Sequence, residues 1–253
     1  MADTGAVLPA TVAGMFDGYL EAGRRVAPGQ LAAVYAVGSL ALGDFSVRQS
    51  NIDLVVVAEP RLDAGQISRL TQAARGLHRA HRDAEVWYAT WEDLDATGPG
   101  ATESTSGIPL ATPLTRAILR HDPMALLGPD WPVVGHDPGA LQRWSAGQLR
   151  ALATASQGLL VLRRAVAPFV LEAARLTQSA ITGRVFSKSA AGEAVMPIVS
   201  TRQKRILTDA VGYRRGAQTS MYWGPFERKY DAQTLVRDLL EAATSAGGGP
   251  TSP

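Results

Sequence analysis

Two short apolar runs place the strongest constraint on how this chain folds. LAAVYAV occupies residues 31–37 and IDLVVVA occupies residues 52–58. Each run has the length of a β-strand, and the second is too continuously apolar for a strand with one face in water. A strand that is covered on both faces needs other elements above and below it. The two runs therefore predict the centre of a layered structure of helices and strands.

The segments around these runs complete a small α/β unit. Residues 8–27 place Val12, Phe16 and other apolar side chains on one stripe, which predicts a helix that ends before Pro28-Gly29. Residues 64–80 predict a second amphipathic helix, and AEVWYAT at 84–90 predicts a third strand. The expected order is helix, strand, strand, helix, strand.

A change in composition indicates a second domain. Residues 95–113 are rich in Gly, Thr, Ser and Pro, which is typical of a linker, and beyond them strand patterns almost disappear. The predicted fold class is α+β, with an N-terminal α/β domain at 1–110, a C-terminal α-helical bundle domain at 111–245 and a disordered tail at 246–253. The helices predicted in the second half cover residues 113–121, 138–157, 158–181, 189–197, 200–215 and 231–243, and residues 128–139 are predicted to be a loop.

Charge and composition exclude several classes of protein. The net charge of +2 is too small to indicate a nucleic-acid partner. Because the chain has no cysteine, disulfides and thiolate metal sites are excluded. The sequence shows neither a secretory signal nor an apolar run of about 18 residues, so we expect a cytoplasmic protein with no membrane partner.

Polar residues at the ends of the strands are the candidates for chemistry. Gly38 follows the first strand and lets the backbone turn close to a ligand, where the Ser39 hydroxyl could bind phosphate oxygens. Asn51 and Asp53 fall on one side of the second strand, and Glu85 reaches the same side if the third strand is its neighbour. Acids in such strands are costly unless they are paired or bind metal. The alternatives are a simple turn and carboxylates that lie in water at strand ends.

These features together resemble the DNA polymerase β-like nucleotidyltransferase superfamily. Its signature is Gly-Ser, a loop, an acid-hydrophobic-acid stretch and a third acid on a later strand, and VGSLALGDFSVRQSNIDLVVV resembles the first part of it. The second half is similar to the aminoglycoside 3″/9-adenylyltransferases, the streptomycin and spectinomycin resistance enzymes. FVLEAARLTQSAITGRVFSKSAAGEAVMP has their Ala-Arg pair, Thr-Gly turn and Ser-Lys before a helix of small residues. The resemblance covers roughly residues 30 to 240.

The resemblance implies Mg²⁺-dependent transfer of AMP from ATP to a hydroxyl of a small molecule, by a monomer or weak dimer. Asn51 and Asp53 are the metal positions. The catalytic residues are Asp53, through the metal, and Glu85, which is the general base. The positions implied to contact the nucleotide phosphates are Gly38, Ser39, Ser50 and Lys188.

Two departures from the family pattern affect this prediction. Asn51 stands where the family has an acid, so a second hypothesis is an impaired nucleotidyltransferase that acts as a nucleotide-binding or regulatory module. The family's acids for a cationic aminoglycoside are also absent, since Ala165, Val166 and Pro168 occupy those positions. Arg163 and Arg164 lie nearby, which favours a neutral or acidic acceptor.

Overall fold

The computed structural model describes residues 10–46, 49–77, 84–95, 103–104, 112–120, 124–130, 137–154 and 162–247. Contacts divide the chain into two compact units, residues 1–136 and 137–253. The first unit contains helices and one sheet, and the second is built from helices in the part that is described. The predicted fold class, an α/β N-terminal part followed by a helical C-terminal part, is confirmed.

The first unit is organised around a five-stranded sheet with strand order β4-β3-β2-β1-β5. Strand β1 pairs antiparallel with β2 and with β5, β2 pairs parallel with β3, and β3 pairs antiparallel with β4. Its elements are α1 (Ala10–Val26), β1 (Leu31–Val37), β2 (Ile52–Ala58), α2 (Ala64–Leu77), β3 (Ala84–Ala89), α3 (Trp91–Asp95), β4 (Glu103–Ser104), α4 (Pro113–Arg120) and β5 (Met124–Leu127).

Both faces of the central strands are buried, as the apolar character of β2 predicted. Leu54 and its alternate neighbours in β2 share a hydrophobic core with Phe16 of α1 and Leu70 of α2. Val55 and Val57 point to the opposite face and are also fully buried. Because side chains alternate along a strand, this burial assigns every residue of β2 to one face or the other.

The boundary between the two units lies further along the chain than the predicted position at 110. Residues 103–104, inside the predicted linker, form β4 and pair with β3. Residues 124–127 form β5 and pair with β1, so this segment belongs to the first unit. Both strands are short edge strands. Because they have only two and four residues, their pairing with a neighbouring strand is what identifies them as strands.

The second unit packs its helices around α6, whose buried face contributes Val166, Val170, Leu171 and Ala174 to the core. The last helix begins at Pro225, a residue that is well suited to the first helical position, rather than at the predicted residue 231. Among the described helices, none combines the length and the apolar character that a membrane span requires. The elements are α5 (Pro138–Thr154), α6 (Arg163–Thr182), α7 (Lys188–Ala194), a 3₁₀ turn (Met196–Ile198), α8 (Thr201–Arg214) and α9 (Pro225–Gly247).

Candidate functional site

Asp53 and Glu85 are direct neighbours in the sheet. Strands β2 and β3 are parallel, and the two residues are partners in their register. Adjacent strands lie about 4.8 Å apart. Ile52 and Leu54 belong to the core on the α1–α2 face, as does Val86, so both carboxylates project from the opposite face. The structure therefore places the two predicted acids side by side.

Gly38 lies directly against the Asp53 carboxylate. It follows Val37, the partner of Asp53 in the β1–β2 pair, and has φ of 64°. A Cβ atom at Gly38 would overlap Asp53 Oδ2 and would lie 3.2 Å from the carboxyl carbon. Only glycine allows both this backbone conformation and this close approach. The turn after β1 is thereby brought next to the acid of β2.

The turn that begins at Gly38 carries a buried hydroxyl. It is closed by hydrogen bonds from Leu42 N–H to the Gly38 carbonyl, 3.0 Å, and from Asp44 N–H to the Ser39 carbonyl, 2.9 Å. Within the described part of the chain, neither Ser39 Oγ nor Glu85 Oε1 has a hydrogen-bond partner, although both atoms are buried. Buried polar atoms normally have a partner, so these two oxygens are suited to contact a ligand.

Ser50 and Asn51 shape the approach to β2. Ser50 is almost fully buried, and its Oγ accepts a hydrogen bond from Ser46 N–H at 3.0 Å. Its own N–H donates to the Ser46 carbonyl at 2.8 Å, so this side chain helps to close the loop before the strand. Asn51 follows directly and is exposed. The predicted phosphate contact of Ser50 thus falls on a residue whose hydroxyl oxygen already has a role inside the loop.

The side-chain oxygens at this site are of the type that binds Mg²⁺. Within the described residues, no group of three or more His, Cys, Asp and Glu gathers to hold a metal. Mg²⁺ is usually bound by one or two carboxylates, and phosphate oxygens and water complete its six ligands. Asp53 and the amide oxygen of Asn51 offer such oxygens, and Glu85, the register partner of Asp53, has an Oε1 that is unpartnered among the described residues.

The local sequence explains why Lys188 begins a helix in the second unit. Gly183 ends α6 in a left-handed conformation and donates its N–H to the Ser179 carbonyl at 2.9 Å. Ser187 is the N-cap of α7, and its Oγ accepts a hydrogen bond from Ala190 N–H at 3.2 Å. The Thr-Gly and Ser-Lys pairs in the sequence are therefore the end of one helix and the start of the next.

Lys188 belongs to a charged cluster with two residues of α6. Its Nζ lies 3.3 Å from Glu172 Oε2, and an Arg175 nitrogen lies 2.6 Å from Glu172 Oε1. Burial would raise the pKa of Glu172, but Arg175 and Lys188 outweigh burial and lower that pKa from 4.5 to about 2. Burial lowers the pKa of Lys188, and the carboxylate of Glu172 opposes this effect. Sequence analysis did not single out Glu172, and its only signal is a charged residue among apolar ones in α6.

The predicted acceptor region includes an arginine that is used inside the helical unit. Arg163 Nε is 3.2 Å from Asp209 Oδ2, and another nitrogen of this side chain donates to the Ala217 carbonyl at 2.9 Å. Val166, at a position where the family has an acid, is buried in the helical core. Of the two arginines that favoured a neutral or acidic acceptor, only Arg164 is exposed.

Comparison with known proteins supports the fold. The sequence matches no protein-family model and no curated protein. The structure is similar to the crystal structure of spectinomycin adenyltransferase AAD(9) from Enterococcus faecialis with ATP and spectinomycin, with a TM-score of 0.66 and 16% sequence identity. The match covers 91% of this chain and 98% of that chain. This likeness confirms the fold, in which an α/β N-terminal part is followed by a helical C-terminal region.

Proposed function

We propose that this protein is a Mg²⁺-dependent nucleotidyltransferase that transfers AMP from ATP to a hydroxyl group of a small molecule. The pairing of Asp53 with Glu85 beside the Gly38 turn carries this proposal. It is supported by the similar structure, which is an adenyltransferase with ATP and spectinomycin. The cytoplasm, which supplies ATP and Mg²⁺, is the compartment in which a monomeric or weakly dimeric enzyme of this kind would act.

The phosphates of ATP are bound by a turn residue and a lysine. The Ser39 hydroxyl, buried and unpartnered among the described residues, donates to a phosphate oxygen at the Gly38 turn. Lys188 contributes a positive charge to the triphosphate. Asp53 and the amide oxygen of Asn51 would hold the Mg²⁺ ion, which supplies charge neutralisation when it is bound. Ser50 supports the loop that positions Asn51.

Glu85 acts on the acceptor. Its Oε1, unpartnered among the described residues, accepts the proton of the attacking hydroxyl. The hydroxyl oxygen forms a bond to the α-phosphorus of ATP. The bond between that phosphorus and the bridging oxygen breaks, and pyrophosphate leaves with the electron pair. Asp53 lies beside Glu85 in the sheet, which keeps the general base next to the metal position.

A substitution at Asn51 tests the metal position. The purified protein is incubated with labelled ATP, Mg²⁺ and a panel of neutral, acidic and cationic hydroxyl compounds, and pyrophosphate release is measured. We expect Asn51→Asp to strengthen Mg²⁺-dependent turnover by about tenfold or more, because a carboxylate adds a charge-assisted contact to the ion. Gln49→Glu is the matched control, since it adds the same charge to the same loop two residues earlier.

The same experiment decides between the two hypotheses. The second candidate function is a nucleotide-binding or regulatory module, and the uncharged Asn51 is the observation that favours it. Pyrophosphate release by Asn51→Asp alone would identify a site disabled by that amide. If neither protein releases pyrophosphate with any acceptor while both bind ATP, the proposed transferase activity is wrong and the binding module is supported.

A substitution at Glu85 tests the general base. Glu85→Gln removes the proton acceptor but keeps the shape of the side chain, so transfer should fall by roughly 10²- to 10⁴-fold while ATP affinity stays nearly unchanged. Single-turnover kinetics and calorimetric titration with ATP measure the two quantities. Glu92→Gln, an exposed position on α3, should leave both unchanged. Full turnover in Glu85→Gln would remove this residue from the mechanism.

A further inference from the structure

Two cations contact one carboxylate where α6 and α7 pack together, and a third cation lies near the lysine of this pair on α8. Glu172 divides its two oxygens between Arg175, at 2.6 Å, and Lys188, at 3.3 Å. Arg214, almost buried at the end of α8, is close enough to lower the pKa of Lys188. Arg175, Lys188 and Glu172 together carry a net charge of +1 in a partly buried place, which favours an anionic ligand.

The cluster retains capacity to donate hydrogen bonds. Arg175 Nε is buried and has no partner among the described residues. The side chain of Lys188 keeps 30% of its exposure, so its ammonium can still reach a ligand at the surface of the unit. One carboxylate thus holds two cations without using all of their donors.

We propose that Glu172 is a positioning residue, which holds the Lys188 ammonium and the Arg175 guanidinium together for contact with the triphosphate. This inference rests on the phosphate contact of Lys188 in the proposed function. Without Glu172, the like charges of Arg175, Lys188 and Arg214 would repel one another, and the long lysine side chain would lose its fixed partner. Glu172 therefore prepares the cations before the nucleotide arrives.

The charges that face Lys188 decide how its pKa changes when the Glu172 carboxylate is removed. Burial lowers the pKa of the ammonium, and Arg175 from α6 and Arg214 from α8 lower it further, whereas Glu172 raises it. Glu172→Gln removes the group that opposes the others, so the pKa of Lys188 falls further. An ammonium that loses its proton at lower pH stops attracting phosphate at lower pH.

An NMR titration measures this shift without any enzyme assay. The chain has only three lysines, Lys188, Lys204 and Lys229, so the side-chain carbon signals of labelled lysine are readily assigned. In the nucleotide-free protein, we expect the pKa of Lys188 to be lower in Glu172→Gln than in the wild type, with the other two lysines unchanged. An unchanged Lys188 overturns the proposal. Glu172→Asp keeps the charge on a shorter side chain, so the pKa of Lys188 should lie between the values of the wild type and Glu172→Gln. This variant replaces Glu172→Gln in the titration if the latter does not fold.

Measuring ATP affinity across a range of pH tests whether the ion pair of Glu172 and Lys188 affects nucleotide binding. In Glu172→Gln, the loss of ATP affinity at alkaline pH should begin at lower pH, and adding Lys188→Arg should abolish this shift because arginine stays charged. An alkaline limb that stays in place overturns the role of Glu172. Lys188→Met should weaken ATP binding roughly ten- to hundredfold at neutral pH. Unchanged affinity in that variant would instead overturn the phosphate contact itself, and with it the functional use of the pair.

Discussion

Gly38 lets the backbone lie directly against the Asp53 carboxylate, and replacing it with alanine tests that geometry. The residue has φ of 64°, a conformation that costs an L-amino acid about 1–2 kcal/mol. A methyl group there would also overlap Asp53 Oδ2 and press on the carboxyl carbon at 3.2 Å. The Asp53 side chain would have to move, because the backbone on both sides is held by the β1–β2 pair.

Gly43 provides a matched control in the same turn. Its φ is 63°, but a Cβ at that position would meet nothing within 4 Å. Gly43→Ala should therefore cost only the backbone strain of about 1–2 kcal/mol, and Gly38→Ala should cost that strain plus the displacement of the carboxylate, for which about 1–3 kcal/mol is typical of overpacking. Urea unfolding of each variant, followed by circular dichroism, measures the difference in the free energy of unfolding.

Because Gly38→Ala displaces the Asp53 carboxylate, the two glycine variants should also differ in ATP binding. Gly38→Ala should lose Mg²⁺-dependent ATP binding, whereas Gly43→Ala should retain it. In an Asp53→Ala background the overlap is absent, so the extra cost of Gly38→Ala over Gly43→Ala should disappear. Equal losses of stability for the two glycine variants in the wild-type background would refute the inference that Asp53 lies against Gly38.

Two further predictions concern the stability of the helical unit. The pKa of Glu172 is lowered from 4.5 to about 2, so its ion pairs contribute about 3 kcal/mol above pH 4.5, and this is lost as the pH falls towards 2. The difference in the free energy of unfolding between wild type and Glu172→Gln should therefore shrink over that window, and a constant difference would contradict the ion pairs. Asp209→Ala should destabilise the unit by about 3–5 kcal/mol, because it leaves the nearly buried Arg163 without its carboxylate. Asp137→Ala, which breaks an exposed pair with Arg143, should cost less than about 1 kcal/mol in the same urea titration, and similar losses would argue against the buried pair.

Local patterns were enough to predict the elements that frame the candidate site. The apolar runs at 31–37 and 52–58 are β1 and β2 with the expected bounds, because continuous burial of a strand leaves a direct trace in residue type. Alternation along the strand also predicted that Glu85 projects away from Val86. The Thr-Gly and Ser-Lys pairs correctly indicated a helix end and a helix start, since caps depend on a few adjacent residues.

Other features depend on contacts between distant segments. Strand β5 pairs with β1, so the first unit extends beyond residue 110, the end of the domain that composition indicated. Arg163 could be read as a surface charge near an acceptor, but it lies against Asp209 of a different helix. The periodicity of side chains along an element does not indicate which distant residue will form an ion pair with a charged side chain.

The sequence by itself therefore determined which residue types could form a phosphate turn and an acidic strand face. Only the tertiary structure decided that Asp53 and Glu85 share one register position, and that Gly38 lies against the first of them. It also decided that Glu172 divides its oxygens between Arg175 and Lys188. The physical reason is that strand and helix patterns arise from neighbours along the chain, whereas register and ion pairing arise from packing between elements far apart in sequence.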